Sequence, residues 1–481
     1  MQPRNILAAL LTATSLAACA VGPDYVAPVS PVDAQAPFIG AQVPDVPVTG
    51  AEPVGAWWRL YEDPVLEDLV AEALAANTDV RVAIARIEKA RASLRGAGSA
   101  RLPQTAIDAS GGYRRVPDNQ QLPGMDREAR MVDGQLGVSY EIDLFGRVGR
   151  GIAAARADLD TAREEADAVR VTVVADTVRA YVDATSAAEQ LGVARRTVEL
   201  LERSERITIA RFERGLNQKL DVIRVTQLRE EQAAAIPTLD ARRDAALFRL
   251  ATLTGKPPQA LPDTVRERRT TPDVAQPIPV GDGRLLLARR PDVKAAERRL
   301  AADTERVGVA TADLYPTISL GGSIGTTALG ATDIFGSGPL RWMLGPLISW
   351  AFPNQEAVRA RIAGARAEAQ ADLAAFDGAV LTALEETETA LSAYRGALLR
   401  RGRLDAAREA AQRAAKVSLA RQARGQIDAL DALDAQRTLA RSEADYAQGV
   451  REVAFAQVDL FRALGGSWAQ ERQPATLSLR R

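Results

Sequence analysis

Histidine does not occur among the 481 residues. That removes the side chain that most often serves as general base and most often binds transition metals. Cysteine occurs once, at position 19, so no intrachain disulfide and no thiolate metal cluster can form. There is no excess charge of either sign: 61 Lys+Arg stand against 62 Asp+Glu. A nucleic-acid binder would carry a basic surplus, so none is expected as a partner. Aromatic residues make up only 5%. No Ser or Lys constellation resembles a catalytic site, and neither enzyme activity, cofactor nor metal is expected. What is abundant is Ala, Arg, Glu and Leu, a composition suited to long helices packed through small side chains.

Near the start, Arg4 precedes the apolar run "ILAALLTATSLAA". The run is too short to span a bilayer and reads as the core of a signal peptide over residues 1–18. It ends in "LAAC", Leu16 to Cys19. Small residues before a cysteine at that place resemble a lipobox, in which Cys19 is lipidated and begins the mature chain. Acyl chains there would bind outer-membrane lipid through buried CH₂ groups. Residue 20 is Ala rather than Asp, which in that pattern favours the outer membrane. Residues 19–56 are Pro-rich and aperiodic, and are expected to form an extended tether.

The remainder repeats itself. Asp79 corresponds to Asp292 and Pro103 to Pro316, both at an offset of 213. Gly215 corresponds to Gly425 and Asp221 to Asp431, both at an offset of 210. We read a tandem duplication: a first repeat over 57–255, a linker over 256–284, a second repeat over 285–466 and a tail over 467–481. Each repeat has a helix, a pair of strands and then long helices. In the first repeat the strands are expected at about 104–116 and 131–145, and the helices over about 147–253. In the second they are expected at about 316–329 and 340–352, and over about 355–464. A continuous helix from 147 to 213 would run on the order of 100 Å, as a strut in a coiled-coil-like array.

The strands alternate. Leu136, Val138, Tyr140, Ile142 and Leu144 share one face, with Gln135, Ser139, Glu141 and Asp143 on the other. Ile318, Leu320 and Ile324, then Trp342, Leu344, Ile348, Trp350 and Phe352, repeat the pattern. Stretches of about ten residues with one apolar face fit transmembrane β-strands. Four per chain are too few to close a barrel, so the barrel has to be shared between chains.

A lipobox followed by "VGPDY", a duplicated unit, "LP" before a strand, "EIDLFGRV" entering a long helix and "RG" with "LDV" near its break together resemble the outer membrane factor family. This is the family of TolC-like and OprM-like outer membrane efflux proteins, and the chain resembles its NodT-type lipoproteins. The resemblance runs from Cys19 to about Trp468. It implies an α+β membrane protein. A homotrimer would build a twelve-stranded outer-membrane β-barrel that continues into a periplasmic α-helical coiled-coil barrel. It further implies an exit duct of a tripartite system, passively exporting small molecules. The partners would be a periplasmic adaptor protein and an inner-membrane pump of RND type. The outlet of a type I protein secretion system has the same fold and stays open. A structural coiled-coil lipoprotein without a pore is disfavoured by the paired strands. No histidine and only 4 Met weigh against a metal relay.

The resemblance also assigns the stretch "GQIDALDALDAQRTL" from Gly425. Asp428, Asp431 and Asp434 fall three apart and share one stripe of a helix. Asp431 and Asp434 match the family's acid pair at the periplasmic gate, where three chains would surround one axis. Crowded carboxylates there would hold protons more tightly and favour cations. Asp428 reads as a helix cap or as a solvated residue at the helix start. In the first repeat Asp221 matches the first acid, and Arg224 replaces the second. Gln422 and Ile427 occupy places where some members carry locking Tyr and Arg residues. Gly215, Leu216, Gly425 and Gln426 would form the hairpin tips that meet the adaptor, although each glycine alone fits a simple helix break equally well.

Overall fold

The computed structural model describes residues 20–466 except 30, 45, 54, 121, 122, 124, 125 and 329–339. In chain order the main elements are β1 (Val48–Thr49), α1 (Pro64–Ala76), α2 (Thr78–Ser99), β2 (Gln104–Arg115), β3 (Glu128–Ile142) and α3 (Arg147–Glu213). Then come α4 (Lys219–Ala233), α5 (Ala235–Leu253), α6 (Asp263–Arg266), β4 (Ile278–Pro279), α7 (Gly283–Arg289) and α8 (Pro291–Ala312). The last are β5 (Thr317–Ala328), β6 (Leu340–Ser349), α9 (Glu356–Ala423) and α10 (Ala429–Ala463). They fall into two compact units, each drawn from three stretches of chain.

The first unit takes in residues up to Pro28, Arg86–Arg163 and Ala295–Asp377. It holds a four-stranded antiparallel sheet in the order β2-β3-β5-β6. β3 spans Glu128–Ile142, about three residues earlier than the alternation indicated. The reason lies at Asp143, whose carboxylate accepts the N–H groups of Val148 at 3.0 Å and Gly149 at 2.7 Å. That side chain satisfies the free donors at the start of α3, so the strand has to end before it.

The second unit takes in Val29–Ala85, Glu164–Lys294 and the chain from Gly378. Its centre is apolar: Leu66, Val70, Tyr181, Leu250, Leu391 and Leu460 are all but inaccessible. Trp57 stacks on Phe461 with centroids 4.6 Å apart. Asp63 caps α1 by accepting the Val65 N–H, and it also takes the Tyr181 hydroxyl at 2.6 Å and Arg268 at 2.6 Å. Beyond Pro28 the segment expected to be a loose tether is fastened along its course. β1 pairs with β4 in parallel, Gly283 N–H donates to Ala36 O, and the Ile39 and Gly40 N–H groups donate to the Glu388 carboxylate. Phe38 is buried. Some of the segment's polar backbone groups are thus met by the body of the protein, its carbonyls by Gly283, Ile278 and Val280 N–H and two of its N–H groups by Glu388.

The first repeat has one more helix break than its periodicity indicated. α4 ends at Ala233 and α5 begins at Ala235. Pro237 explains it, since a proline ring displaces the carbonyl four residues back, here that of Ala233. The matching stretch of the second repeat, α10, runs unbroken for 35 residues.

Candidate functional site

The sheet carries the first candidate surface. Directly opposed residues of an antiparallel sheet point to the same face. Ile107 opposes Leu136, Leu136 opposes Ile324, and Ile324 opposes Trp342, forming one apolar row across all four strands. Further rows place Tyr140 beside Leu320, and Ile142 beside Ile318 and Ile348. Side chains in these rows are exposed, Ile107 at 82% and Trp342 at 75%. The opposite face is polar, with Asp108 beside Gln135 and Ser110 beside Asp133. There Asp133 accepts Arg341 at 2.8 Å and the Thr327 hydroxyl at 2.6 Å. An exposed apolar face backed by a hydrogen-bonded polar one suits a lipid environment on one side and water on the other. Among the described residues no helix is long and apolar enough to cross a membrane.

The second candidate is the turn between the long helices, which the second unit contains twice. α3 ends with Gly215 at φ +73°, and α9 with Gly425 at φ +68°. In the first, Leu216 N–H donates to Arg211 O and Gly215 N–H to Phe212 O. In the second, Gln426 N–H donates to Arg421 O and Gly425 N–H to Gln422 O. This is a Schellman end, which needs a left-handed residue that glycine supplies without strain. It leaves Leu216 71% exposed at the end of its turn, with Gln426 exposed at the equivalent place.

The acids after these turns differ between repeats. Asp428 caps α10, accepting the Asp431 N–H at 2.9 Å, as its capping reading anticipated. The carboxylates of Asp431 and Asp434 are exposed. In the first repeat the capping position holds Gln218, and the half-buried Asp221 reaches back to accept the Gln218 N–H at 3.1 Å. Arg224 is half-buried and lines a crevice of about 70 Å³ with Ser204, Thr208, Arg211, Asp221 and Gln422. It also lines an adjoining space of about 220 Å³ together with Leu430, Asp434 and Arg437. Asp434 and Arg224 thus share one cleft, and among the described residues neither takes part in an ion pair. Ile427 is half-buried in the second turn. Cys19 lies outside the described residues.

Several residues here were not singled out in the sequence. Arg211 adds a second cation to the crevice. Ser204 and Gln436 hydrogen-bond across α3 and α10 at 3.0 Å. The buried Glu205 takes Thr226 and Arg229 at 2.5 Å each. They sit on the helices before and after the glycines, between four and fourteen positions from the nearer one. Their only signal was helical spacing, which says nothing about the partner helix.

The Outer membrane efflux protein family model matches residues 69–256 and 283–466. The chain belongs to the outer membrane efflux protein family. It is 30% identical over 458 residues to Nodulation protein T of Rhizobium leguminosarum bv. trifolii, covering 94% of this chain and 95% of that one. It is 30% identical over 473 residues to the pyoverdine export outer membrane protein OpmQ of Pseudomonas putida, covering 97% and 98%. Among solved structures it matches the outer-membrane channel OprN with a TM-score of 0.85 and 36% identity, over 94% of this chain and all of that one. Its place is therefore the outer membrane of a Gram-negative bacterium, extending into the periplasm. Its fold is that of the outer-membrane channels, largely helical with a sheet. The family is one of transport channels rather than enzymes.

Proposed function

We propose that three copies of this chain form the exit duct of a tripartite efflux system, passing small molecules outward without catalysis. The observation that carries this reading is the four-stranded sheet. Its exposed apolar face fits a bilayer, yet β2 and β6 are left as its two edges. Unpaired strand edges are not tolerated in lipid, because their N–H and C=O groups find no partners there. Pairing β6 of one copy with β2 of the next satisfies them, and three copies close a barrel of twelve strands. The two matched segments, each with a strand pair and a glycine-ended helical turn, support descent from one duplicated unit.

The Schellman turns at Gly215 and Gly425 present Leu216 and Gln426 to a periplasmic adaptor, and the inner-membrane pump supplies the cargo. Asp431 and Asp434 line the closed mouth, with Arg224 positioned to reach Asp434 across their shared cleft. The pyoverdine export named for one relative favours a small-molecule cargo. The test is native mass spectrometry of protein extracted from membranes, followed by planar-bilayer recording. A trimer with defined conductance steps is expected; a monomeric barrel or a non-conducting oligomer would overturn the proposal.

A further inference from the structure

The sequence "VGPDY", residues 21–25, has no part in the duct or the tip, yet each of its residues is engaged. Val21 N–H donates to Phe145 O at 3.2 Å. Gly22 stands at φ +98°, and a Cβ there would lie 2.6 Å from the Cα of Gly308 on α8. Two glycines thus meet backbone to backbone, at a distance no side chain permits. Pro23 O accepts Arg150 Nη1 at 2.8 Å, and Asp24 Oδ1 accepts Arg150 Nη2 at 2.8 Å. Tyr25 donates its hydroxyl to Glu297 Oε1 at 2.7 Å. Burial and the Glu297 carboxylate push the Tyr25 phenol up, so it remains a donor.

Arg150 is the centre of this arrangement. Its side chain is 8% exposed, and Glu305 takes Nη1 at 3.0 Å. A Cβ on Gly308 would come within 2.7 Å of Arg150 Cδ, so the glycine also leaves room for the arginine. Buried guanidinium groups need several acceptors in fixed geometry, and here two come from the N-terminal segment itself. Five consecutive residues held at five points are not a spacer.

Where they are held gives the purpose. Ala20 packs on Gly146, where a Cβ would approach the Ala20 Cβ to 3.0 Å. Gly146 follows the end of β3. Phe145 stacks on Tyr315, just before β5, with centroids 4.6 Å apart. Trp350 and Phe352, just after β6, stack at 4.6 Å, and Trp350 Nε1 donates to Leu314 O at 3.0 Å. The register puts Ile142, Ile318 and Ile348 side by side at this same end of the sheet. Exposed aromatic rings at the end of an apolar strand row mark a membrane–water interface. Ala20 is one peptide bond from Cys19.

We propose that Ala20–Tyr25 is a clasp that seats the acylated N-terminus at the aromatic rim of the sheet, with Arg150 as its positioning residue and bilayer lipid as its partner. The proposal rests on acylation of Cys19. The lipid then enters the leaflet that the rim already marks. A free arm would add only an anchor; a clasped one fixes the depth of the acyl chains against the barrel wall.

The test uses the full chain expressed with a diazirine-bearing fatty acid, so that the N-terminal lipid carries the crosslinker. Crosslinks in wild-type protein should map to the rim, around Ile142, Tyr315, Ile348, Trp350 and Phe352. Arg150→Ala and Gly308→Val should lower them at least fivefold. Both should speed hydrogen exchange of the 20–28 peptide at least tenfold while the trimer persists. If either variant fails to fold, Gly22→Ala and Arg150→Lys give milder versions of the same loss. Wild-type crosslinks scattered away from the rim would overturn the clasp, as would unchanged exchange in all four variants. Intact mass shows independently whether Cys19 is acylated, so loss of that premise is distinguishable from failure of the clasp.

Discussion

Replacing Asp372 with Asn should make the protein more stable at neutral pH and leave it nearly unchanged in acid. Asp372 on α9 and Asp303 on α8 are both buried, at 8% and 7% exposure, and their carboxyl groups meet. Asp303 is also paired with Arg306, which holds Asp158 of α3 at 2.7 Å. Asp372 has Arg299 close enough to act on its charge, and its Oδ2 has no hydrogen-bond partner among the described residues. Burial, then the hydrogen bond and charge of Asp303, push its pKa up to about 6 from 3.8, with Glu368 adding to the rise and Arg299 opposing it. One proton shared between two buried carboxyl groups is the arrangement that relieves their repulsion.

A carboxyl raised in the folded state keeps its proton longer than in the unfolded chain. Its contribution to stability is therefore present below about pH 4 and is lost as the pH rises through about 6. Two pKa units correspond to about 3 kcal/mol per chain, of which about 2 falls between pH 4.5 and 7.5. Solvent screening at the edge of the pair lowers that further. The amide introduced by the substitution would donate its N–H to Asp303 at every pH. The assay is thermal unfolding in detergent at matched protein concentration. The difference between variant and wild type should grow by about 2 °C from pH 4.5 to 7.5, given the entropy change of a chain this long. Equal differences at both pH values, or a variant less stable at pH 7.5, would refute the shared proton.

Intact mass of the purified protein should show a chain starting at Cys19 with acyl groups attached; an unmodified thiol or another N-terminus would end that reading. Divalent or trivalent cations added from the periplasmic side of a planar bilayer should block conductance, and changing Asp431 and Asp434 together to Ala should abolish the block and reduce cation selectivity. Changing Asp428 to Ala should leave the block in place and cost about 1 kcal/mol of helix stability, the ordinary loss for an N-cap. A double variant that keeps wild-type block and selectivity would move the gate to other residues.

Local chemistry with a short range was legible in the sequence. The glycines at 215 and 425 announced helix ends because a left-handed residue there has few alternatives. The alternation from Leu136 to Ile142 announced a sheet face because the period of a strand is two. What was hidden depended on partners distant in the chain. Phe38 gives no sign that it is buried, and the Glu388 that receives the Ile39 and Gly40 N–H groups lies more than 340 positions away. Pro237 was visible but its effect was not drawn from the helical period, which continues across it. The Asp303–Asp372 contact joins two helices whose own patterns are ordinary charged faces.

The two repeats also show how one substitution at a cap redirects an acid three residues on. Asp221 and Asp431 occupy equivalent positions, and each helix that follows needs its first N–H groups satisfied. Asp is a strong N-cap, and Asp428 takes the Asp431 N–H, while the exposed Asp431 carboxylate has no partner among the described residues. Gln is a weak one, and with Gln218 at that place Asp221 turns back to take its N–H instead. Position 434 is acidic and its counterpart 224 is Arg. In the proposed trimer, the second-repeat turns therefore bring two free carboxylates each to the mouth. The first-repeat turns bring a cation and an acid already bound to backbone. The mouth would be a ring of alternating character with threefold rather than sixfold symmetry. Its closure would depend on Arg224 meeting Asp434 across the cleft they share, so a partner that enters that cleft separates them.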